Sequence, residues 1–468
     1  MDKLKLYING QWCSSMNDEE ICVENPATKE IIAVVPCGSE EDVKKAIEGA
    51  KVALPKWAES PEKRAECLYR LADYFESHEE EIAKTITLEL GAPVKMSKDW
   101  HVDAAKRETR YYAEQAKKFE YETEEDGYIL RREPYGIVAG LTPWNYPLDQ
   151  ITLKILPALA AGNCVILKPS QMAPLTAYHF AKGIEESGFP DGVFNLITGK
   201  GSELGNILAN NPDIRMISFT GSTSAGRDVG RMALSNIKKF TLELGGKSAS
   251  IILDSANMET AIDSILCDCF MNTGQTCNAI TRMLVPEGKK EEAQKIIVEK
   301  AKQYIVGNPL DIDTDIGPLI NEKSFNKVKE YILRGIEEGA RMIVGEVPEN
   351  CNNGYYVSPV VFMDVDNSMT IAREEIFGPV LSVISYKDVN EAIKIANDSP
   401  YGLCGGVWGD KEEAINVARK METGTVRIND ASIPLGAPFG GYKESGIGRE
   451  NALITMDEYL EIKAITLS

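Results

Sequence analysis

Histidine is nearly missing: the 468 residues carry three, His78, His101 and His179, which stand apart in the chain. An imidazole-rich metal centre or a protease-like Cys–His pair therefore has little to draw on. Long apolar runs are missing too. The most apolar stretch, Ile151 to Leu167, is interrupted by Lys154, Pro157, Gly162 and Asn163, which is too polar for a membrane span. The start, MDKLKLYINGQW, lacks a signal-peptide core. Basic residues are in deficit, 51 Lys and Arg against 71 Asp and Glu. The resulting charge of −20 argues against nucleic acid and anionic membrane as partners. No repeat or low-complexity tract occurs. The expectation is a cytoplasmic protein.

What is present fits a large globular chain. Hydrophobic residues make up 43% and charged residues 26%, and the length calls for two large domains. The ten cysteines read as reduced thiols. Cys267 and Cys269 have no second pair or nearby histidine to complete a zinc site, so no metal is expected. The acidic run from Asp311 through Asp313 and Asp315 to Glu322 imitates a calcium loop. Its sixth position, however, holds Ile316 where a glycine is needed, and a surface loop is the better reading.

Residues 41–118 carry apolar residues at helical spacing, with a break at Gly91-Ala-Pro93. Residues 119–133 then alternate around Asp126-Gly127, which predicts a hairpin too polar to bury much by itself. From Gly136 strands and helices take turns. Strands are expected at 136–141, 163–168, 193–197, 216–219 and 240–243, with helices at 174–187, 201–209 and 224–234. That order implies a parallel, doubly wound sheet with ligands at the strands' carboxyl ends. A second α/β cycle runs from Ser248 to about Arg427. The last residues, 459–468, alternate like a lone strand, for which the 119–133 ribbon is a candidate partner, on the same or a neighbouring subunit.

Cys277 is the leading chemical candidate. It stands in Asn272-Thr-Gly274-Gln-Thr-Cys277, among small and polar residues that suggest a turn exposing a thiol. The ordinary fate of a cysteine is burial as a small hydrophobe. A reactive thiol needs a base or nearby cations, and Glu243, ending a strand just before Gly245-Gly246, is the available base. A glutamate bonded to the glycine amides is the plain alternative. Two places suit phosphate. In Phe219-Thr220-Gly221-Ser222-Thr223-Ser-Ala-Gly226 a strand passes through a small-residue turn into a helix start. In Leu167-Lys168-Pro169-Ser170 a strand ends one strand away from the same crevice. Pro143-Trp144-Asn145-Tyr146-Pro147 is a rigid aromatic turn whose Asn145 suits an oxyanion hole.

Seven motifs follow in order: PWNYP (143–147), LKPS (167–170), FTGSTSAG (219–226), LELGGK (242–247), GQTC (274–277), EEIFGP (374–379) and PFGGYKESGIGRE (438–450). Together they resemble the aldehyde dehydrogenase superfamily from end to end. The resemblance implies an α/β fold of two doubly wound domains plus a β-strand oligomerisation arm. The cofactor domain would hold residues 1–118 and 135–245, the catalytic domain 246–445, and the arm and tail 119–134 and 446–468. It implies that Cys277 attacks an aldehyde, Asn145 holds the oxyanion, and Glu243 activates the water that hydrolyses a thioester. Relatives that transfer the acyl group to coenzyme A usually lack this base.

For the cofactor, NAD, the resemblance implies Lys168 at the adenosine ribose, Ser222 at the pyrophosphate, and Glu375 and Phe377 at the nicotinamide. Trp144, Ser170, Gln171, Gly221 and Gly226 complete that set. Many NAD-preferring relatives carry Glu where this chain has Gln171, so tolerance of NADP is expected. The aldehyde tunnel would involve Tyr146, Gln150, Leu153, Asn278, Ile433 and Phe439. The 429–439 loop has no Lys or Arg, which favours an apolar or aromatic aldehyde. A homodimer or homotetramer is implied. A cysteine-dependent esterase or acyl transferase and a non-catalytic cofactor-binding protein are the other readings of the same fold.

Overall fold

A computed structural model describes residues 3–468. Two sheets organise it. The first has eight strands in the order Gln11–Cys13, Leu6–Ile8, Phe194–Leu196, Cys164–Lys168, Ile137–Leu141, Met216–Thr220, Lys239–Glu243 and Gly446–Ile447. Its five central strands are parallel. They are apolar over nearly their whole length, because helices cover both faces and no alternation is needed. Each fully buried aliphatic side chain there contributes roughly 1.5–3 kcal/mol.

The chain starts at Ile137–Leu141, winds outward through Cys164–Lys168 to Phe194–Leu196, then returns to the other side at Met216–Thr220. The order therefore reverses between Ile137–Leu141 and Met216–Thr220, and the carboxyl ends there open a crevice. Lys168 ends the strand that borders Ile137–Leu141, one strand away from that crevice. Successive right-handed crossovers put the first strand in the middle, which a linear reading places at the edge.

The second sheet has seven strands: Arg341–Val344, Val360–Met363, Val380–Tyr386, Ile280–Pro286, Ser248–Ile252, Cys404–Trp408 and Thr425–Ile428. The link from Glu243 to Ser248 carries the chain from one sheet to the other, so Leu244-Gly245-Gly246-Lys247 lies at the seam between them.

The 119–133 ribbon is a hairpin of Glu122–Glu125 and Tyr128–Pro134 with Gly127 at φ 80°. Leu460–Thr466 pairs antiparallel along its outer edge within the same chain. The arm's share of the tail is this strand alone. Residues Gly446–Ile447, assigned to the tail from the sequence, pair with Lys239–Glu243 in the first sheet. Among the described residues no helix is long and apolar enough to cross a membrane. The run from Ile151 is divided between the helix Pro147–Ala160, whose lysine is inward-facing and fully buried, and the strand Cys164–Lys168.

Candidate active site

The nucleophile turn is built from strained backbone. Asn272, Thr273 and Gly274 follow the helix Met258–Phe270 with φ of 52°, 57° and 71°. Left-handed geometry is costly for a β-branched threonine and persists only when the surroundings impose it. Here they do. Asn272 Nδ2 donates to Asn145 O at 2.7 Å, and Thr273 Oγ1 donates to Gly317 O at 3.0 Å. Gly274 has no alternative, because a Cβ there would lie 2.2 Å from the backbone of Gly378. Asn145 completes the clasp: its Nδ2 donates to Gln275 O at 3.0 Å, two residues before Cys277. One amide hydrogen is thus engaged and the other remains for a ligand oxygen.

Cys277 itself is half-buried and faces a cavity of about 200 Å³. The same cavity is lined by Trp144 and Asn145 from the proline-flanked turn, and by Gly221 and Ser222 from the end of Met216–Thr220. Glu375 and Phe377 close it from the turn that leads into Val380–Tyr386 of the second sheet. Burial raises the Cys277 thiol's pKa, and the carboxylates of Glu375 and Glu243 add to the rise. The thiol is therefore protonated at rest and needs a base to react.

Glu375 is fixed by Gly246 N–H, which donates to Oε1 at 3.1 Å, and burial raises its pKa. Phe377 has φ 63°, an unusual conformation for an aromatic residue, and its ring stands edge-on to Trp144 with centroids 5.4 Å apart. Gly246 must be a glycine because a Cβ would come within 2.6 Å of Cys277 O. Ser222 is the N-cap of the helix Thr223–Ser235, accepting from Ala225 N at 3.3 Å. Gly226 lies buried in that helix's first turn, against Leu244.

A second cavity of about 430 Å³ lies beyond this helix start and is lined by Lys168, Phe219, Val229 and Met232. Burial lowers the Lys168 ammonium to about 8, and its Nζ donates to Pro169 O at 2.9 Å. Ser170 accepts from Met172 N at 3.3 Å and Gln171 is exposed, so both flank the cavity without lining it.

Glu243 is 4% exposed and lies behind the cavity wall. Neither of its carboxylate oxygens has a hydrogen-bond partner, so the glycine amides that might have capped it do not. Burial, and then the neighbouring Glu450 carboxylate, push its pKa well above the usual range, against the pull of Lys154 and Arg449. Lys154 Nζ and Glu450 form a fully buried ion pair at 2.7 Å. The sequence reading passed over this pair, although a lysine inside an apolar helix is itself a signal of a buried partner.

The six tunnel residues fall away from the cofactor-side cavity. Tyr146 Oη bonds Thr276 Oγ1 at 2.9 Å, Gln150 accepts from Lys154 at 3.3 Å, and Leu153 is buried on the same helix. Asn278 follows the nucleophile and is half-buried. Ile433 and Phe439 belong to the 429–439 loop, whose end is held by reciprocal 2.7 Å backbone bonds between Phe439 and Glu450.

Two further residues line the Cys277 cavity without having been foreseen. Ser324 and Lys327 enter it from the helix Glu322–Glu337, and Lys327 Nζ donates to Glu375 O at 2.9 Å. Serine and lysine on a polar helix give no local signal. Only the fold brings them to the seam.

Comparison with known proteins identifies the family. The aldehyde dehydrogenase family matches residues 12–465. A 3-succinoylsemialdehyde-pyridine dehydrogenase from a Pseudomonas species is 44% identical, over 99% of this chain and 98% of that protein. Aldehyde dehydrogenase C from Pseudomonas syringae, solved as a cysteine-to-alanine mutant with NAD+ and octanal, superposes with a TM-score of 0.97 at 43% identity, covering 99% of this chain and 96% of that one. An NAD+ complex of a Bacillus cereus aldehyde dehydrogenase gives 0.96 at 38% identity, covering 100% and 97%. The chain belongs to the aldehyde dehydrogenase family.

Proposed function

We propose that this enzyme oxidises an apolar or aromatic aldehyde to its carboxylic acid with NAD, through a thioester on Cys277. The observation that carries the reading is the single cavity shared by Cys277, Asn145, Glu375 and Phe377: thiol, oxyanion donor and nicotinamide-side residues face one space. The site fits a dinucleotide. Thr220 Oγ1 is buried on the cavity wall without a partner, Ser222 offers a helix N-terminus, and Lys168 opens a second cavity beyond it. NAD, when bound, supplies the acceptor that takes the aldehyde carbon from thiohemiacetal to thioester.

The chain's own residues do the rest. Cys277 Sγ adds to the carbonyl carbon as its proton leaves to water in the cavity, a transfer that does not draw on Glu243. The free N–H of Asn145 Nδ2 holds the oxyanion, and because Asn145 is already clasped to Gln275 it reorganises little. In the second half the Glu243 carboxylate takes a proton from water as that water attacks the thioester. The acid leaves and Cys277 recovers its proton. A partnerless, buried carboxylate is a stronger base than a solvated one, which suits this task.

Ile433 and Phe439 wall the aldehyde side, and the octanal complex of the P. syringae relative supports an apolar substrate. Gln171 carries no charge to repel a 2′-phosphate, so NADP is tolerated. The protein acts in the cytoplasm as a homodimer or homotetramer joined through the 122–134 and 460–466 arm, where Ile462 and Ile465 are exposed. Reduced-nicotinamide formation over a panel of aldehydes tests the reading. Turnover of alkyl and aryl aldehydes with both cofactors is expected; strict rejection of NADP would remove the Gln171 argument, and turnover confined to carboxylated aldehydes the substrate class.

A further inference from the structure

Asp268 and Arg427 meet at the root of the two segments that frame the aldehyde side. Asp268 sits near the end of the helix Met258–Phe270, and its Oδ2 accepts from Ile280 N at 2.7 Å, three residues beyond Cys277. Its Oδ1 accepts from Arg427 Nη2 at 2.5 Å, with side chains only 14% and 21% exposed. Arg427 lies on Thr425–Ile428, the strand from which the 429–439 loop departs.

That loop leaves its strand under constraint. Asn429 and Asp430 both have left-handed φ, 47° and 59°. Asn429 exchanges two 2.9 Å bonds with Gly409, and Arg427 Nη1 reaches Asp430 Oδ1 at 3.4 Å. At the other end Phe439 is locked to Glu450, and Gly440 abuts the base: a Cβ there would lie 2.7 Å from Glu243 Oε1. Between these ends the loop's backbone makes few bonds: Ala431 N to Ile428 O, Ala437 N to Pro434 O, and Leu435 O accepting from Ala452 N at 3.1 Å. Its position is therefore set at its roots and at the one contact of Leu435 with Ala452.

We propose that the Asp268–Arg427 pair is a positioning device that ties the backbone after the nucleophile to the root of the 429–439 loop, and so sets the bore available to the aldehyde's tail. The inference rests on the dehydrogenase reading and on Ile433 and Phe439 walling the substrate. Without the guanidinium, Asp268 keeps a buried charge with one donor fewer, and the left-handed Asn429–Asp430 step loses a brace. The loop shifts; the cavity lined by Trp144, Glu375 and Phe377 does not, since neither residue of the pair touches it. Long aldehydes that reach Ile433 and Phe439 feel the shift. A three-carbon aldehyde, held at Cys277 and Asn145, does not.

The test compares propanal with octanal in the native enzyme, Arg427→Ala, Arg427→Lys and Asp268→Asn, with NAD+ affinity by calorimetry alongside. Arg427→Ala is expected to raise KM for octanal about tenfold while propanal kinetics and NAD+ affinity stay within about twofold, since misplacing a binding wall costs affinity for what touches it. Arg427→Lys keeps the charge but loses the fork and is expected to recover part of the octanal KM. Should the alanine variant not fold, the lysine and asparagine variants read the same octanal-to-propanal ratio. An unchanged ratio in variants that fold, or a parallel loss for both aldehydes and NAD+, overturns the proposal. Native turnover separates the claims: none with either aldehyde overturns the dehydrogenase reading, whereas turnover with an unchanged ratio overturns only the role of the pair.

Discussion

Glu89 and Glu243 are both sealed from water, at 0% and 4% exposure, yet they live in opposite surroundings. Glu89 ends the helix Glu79–Leu90 and accepts from Leu175 N at 2.6 Å, Thr176 N at 2.9 Å and Thr176 Oγ1, the first turn of the helix Leu175–Glu186. Burial lifts its pKa to about 7, and those three donors restrain the rise. Glu243 has no donor at all, and a second carboxylate, Glu450, faces it. A buried acid with partners holds structure together. One left without partners is kept for a proton or a ligand, because nothing in the fold recovers the cost of burying it. The same contrast separates the lysines: Lys154 is paired with Glu450, whereas Lys247 Nζ is buried alone and brought down to about 7 by that burial.

The comparison sharpens most at the thiol that the partnerless acid serves. Cys277→Ala is expected to lower aldehyde turnover by at least about 10⁴-fold, as removal of a nucleophile does. NAD+ binding followed by calorimetry should stay near native. Glu243→Gln keeps the shape and removes the base, so steady-state turnover should fall by about 10²–10⁴-fold. In the native enzyme the deacylation rate should climb with pH, because the raised pKa of Glu243 must be passed before the carboxylate is free. A flat pH profile in single-turnover deacylation would break the contrast with Glu89.

Stability should move the other way. Lys154→Met strands the Glu450 carboxylate in a buried site, which costs roughly 3–5 kcal/mol and should show as a large fall in Tm. Glu89→Gln loses acceptors for the helix start at roughly 1–3 kcal/mol, with kcat within about twofold of native. Glu89 also gives a signed pH effect. Its folded pKa of about 7 lies above the ordinary 4.5, so between those values the native state holds more proton than the unfolded chain. Stability therefore falls as pH rises through that window. Tm measured at pH 5 and pH 7.5 should drop less in Glu89→Gln than in the native protein. A large loss of kcat in that variant would erase the distinction between the two acids.

Much of this was legible in the residues because it is local. The strands around Val165 and Ile217 are short, mostly apolar runs, and Gly221-Ser222 announces a helix start, so the first sheet's core could be read in order. Asp126-Gly127 gave the hairpin and the alternating tail its partner. Asn145, Glu375, Phe377 and Cys277 sit in short motifs whose order pointed to one family. What stayed hidden depends on separation. The two N-terminal edge strands at Leu6–Ile8 and Gln11–Cys13 are three residues long and join the sheet beside Phe194–Leu196, almost the length of a domain later. Ser324 and Lys327 reach the Cys277 cavity only through the packing of the second sheet. Lys154–Glu450 and Asp268–Arg427 are pairs across 296 and 159 residues, and a charge says nothing of its partner at that distance. Lys154 was visible only as an interruption in an apolar run, where its burial should have been the inference.

The most direct test traps the covalent intermediate. Glu243→Gln would be mixed with NAD+ and octanal, quenched in acid within seconds, and its intact mass and Cys277 peptide measured. The account predicts one acyl group per chain on Cys277, one equivalent of reduced nicotinamide formed in a burst, and almost no further turnover. Full native turnover without an accumulated acyl group, or an acyl group on another residue, would contradict it.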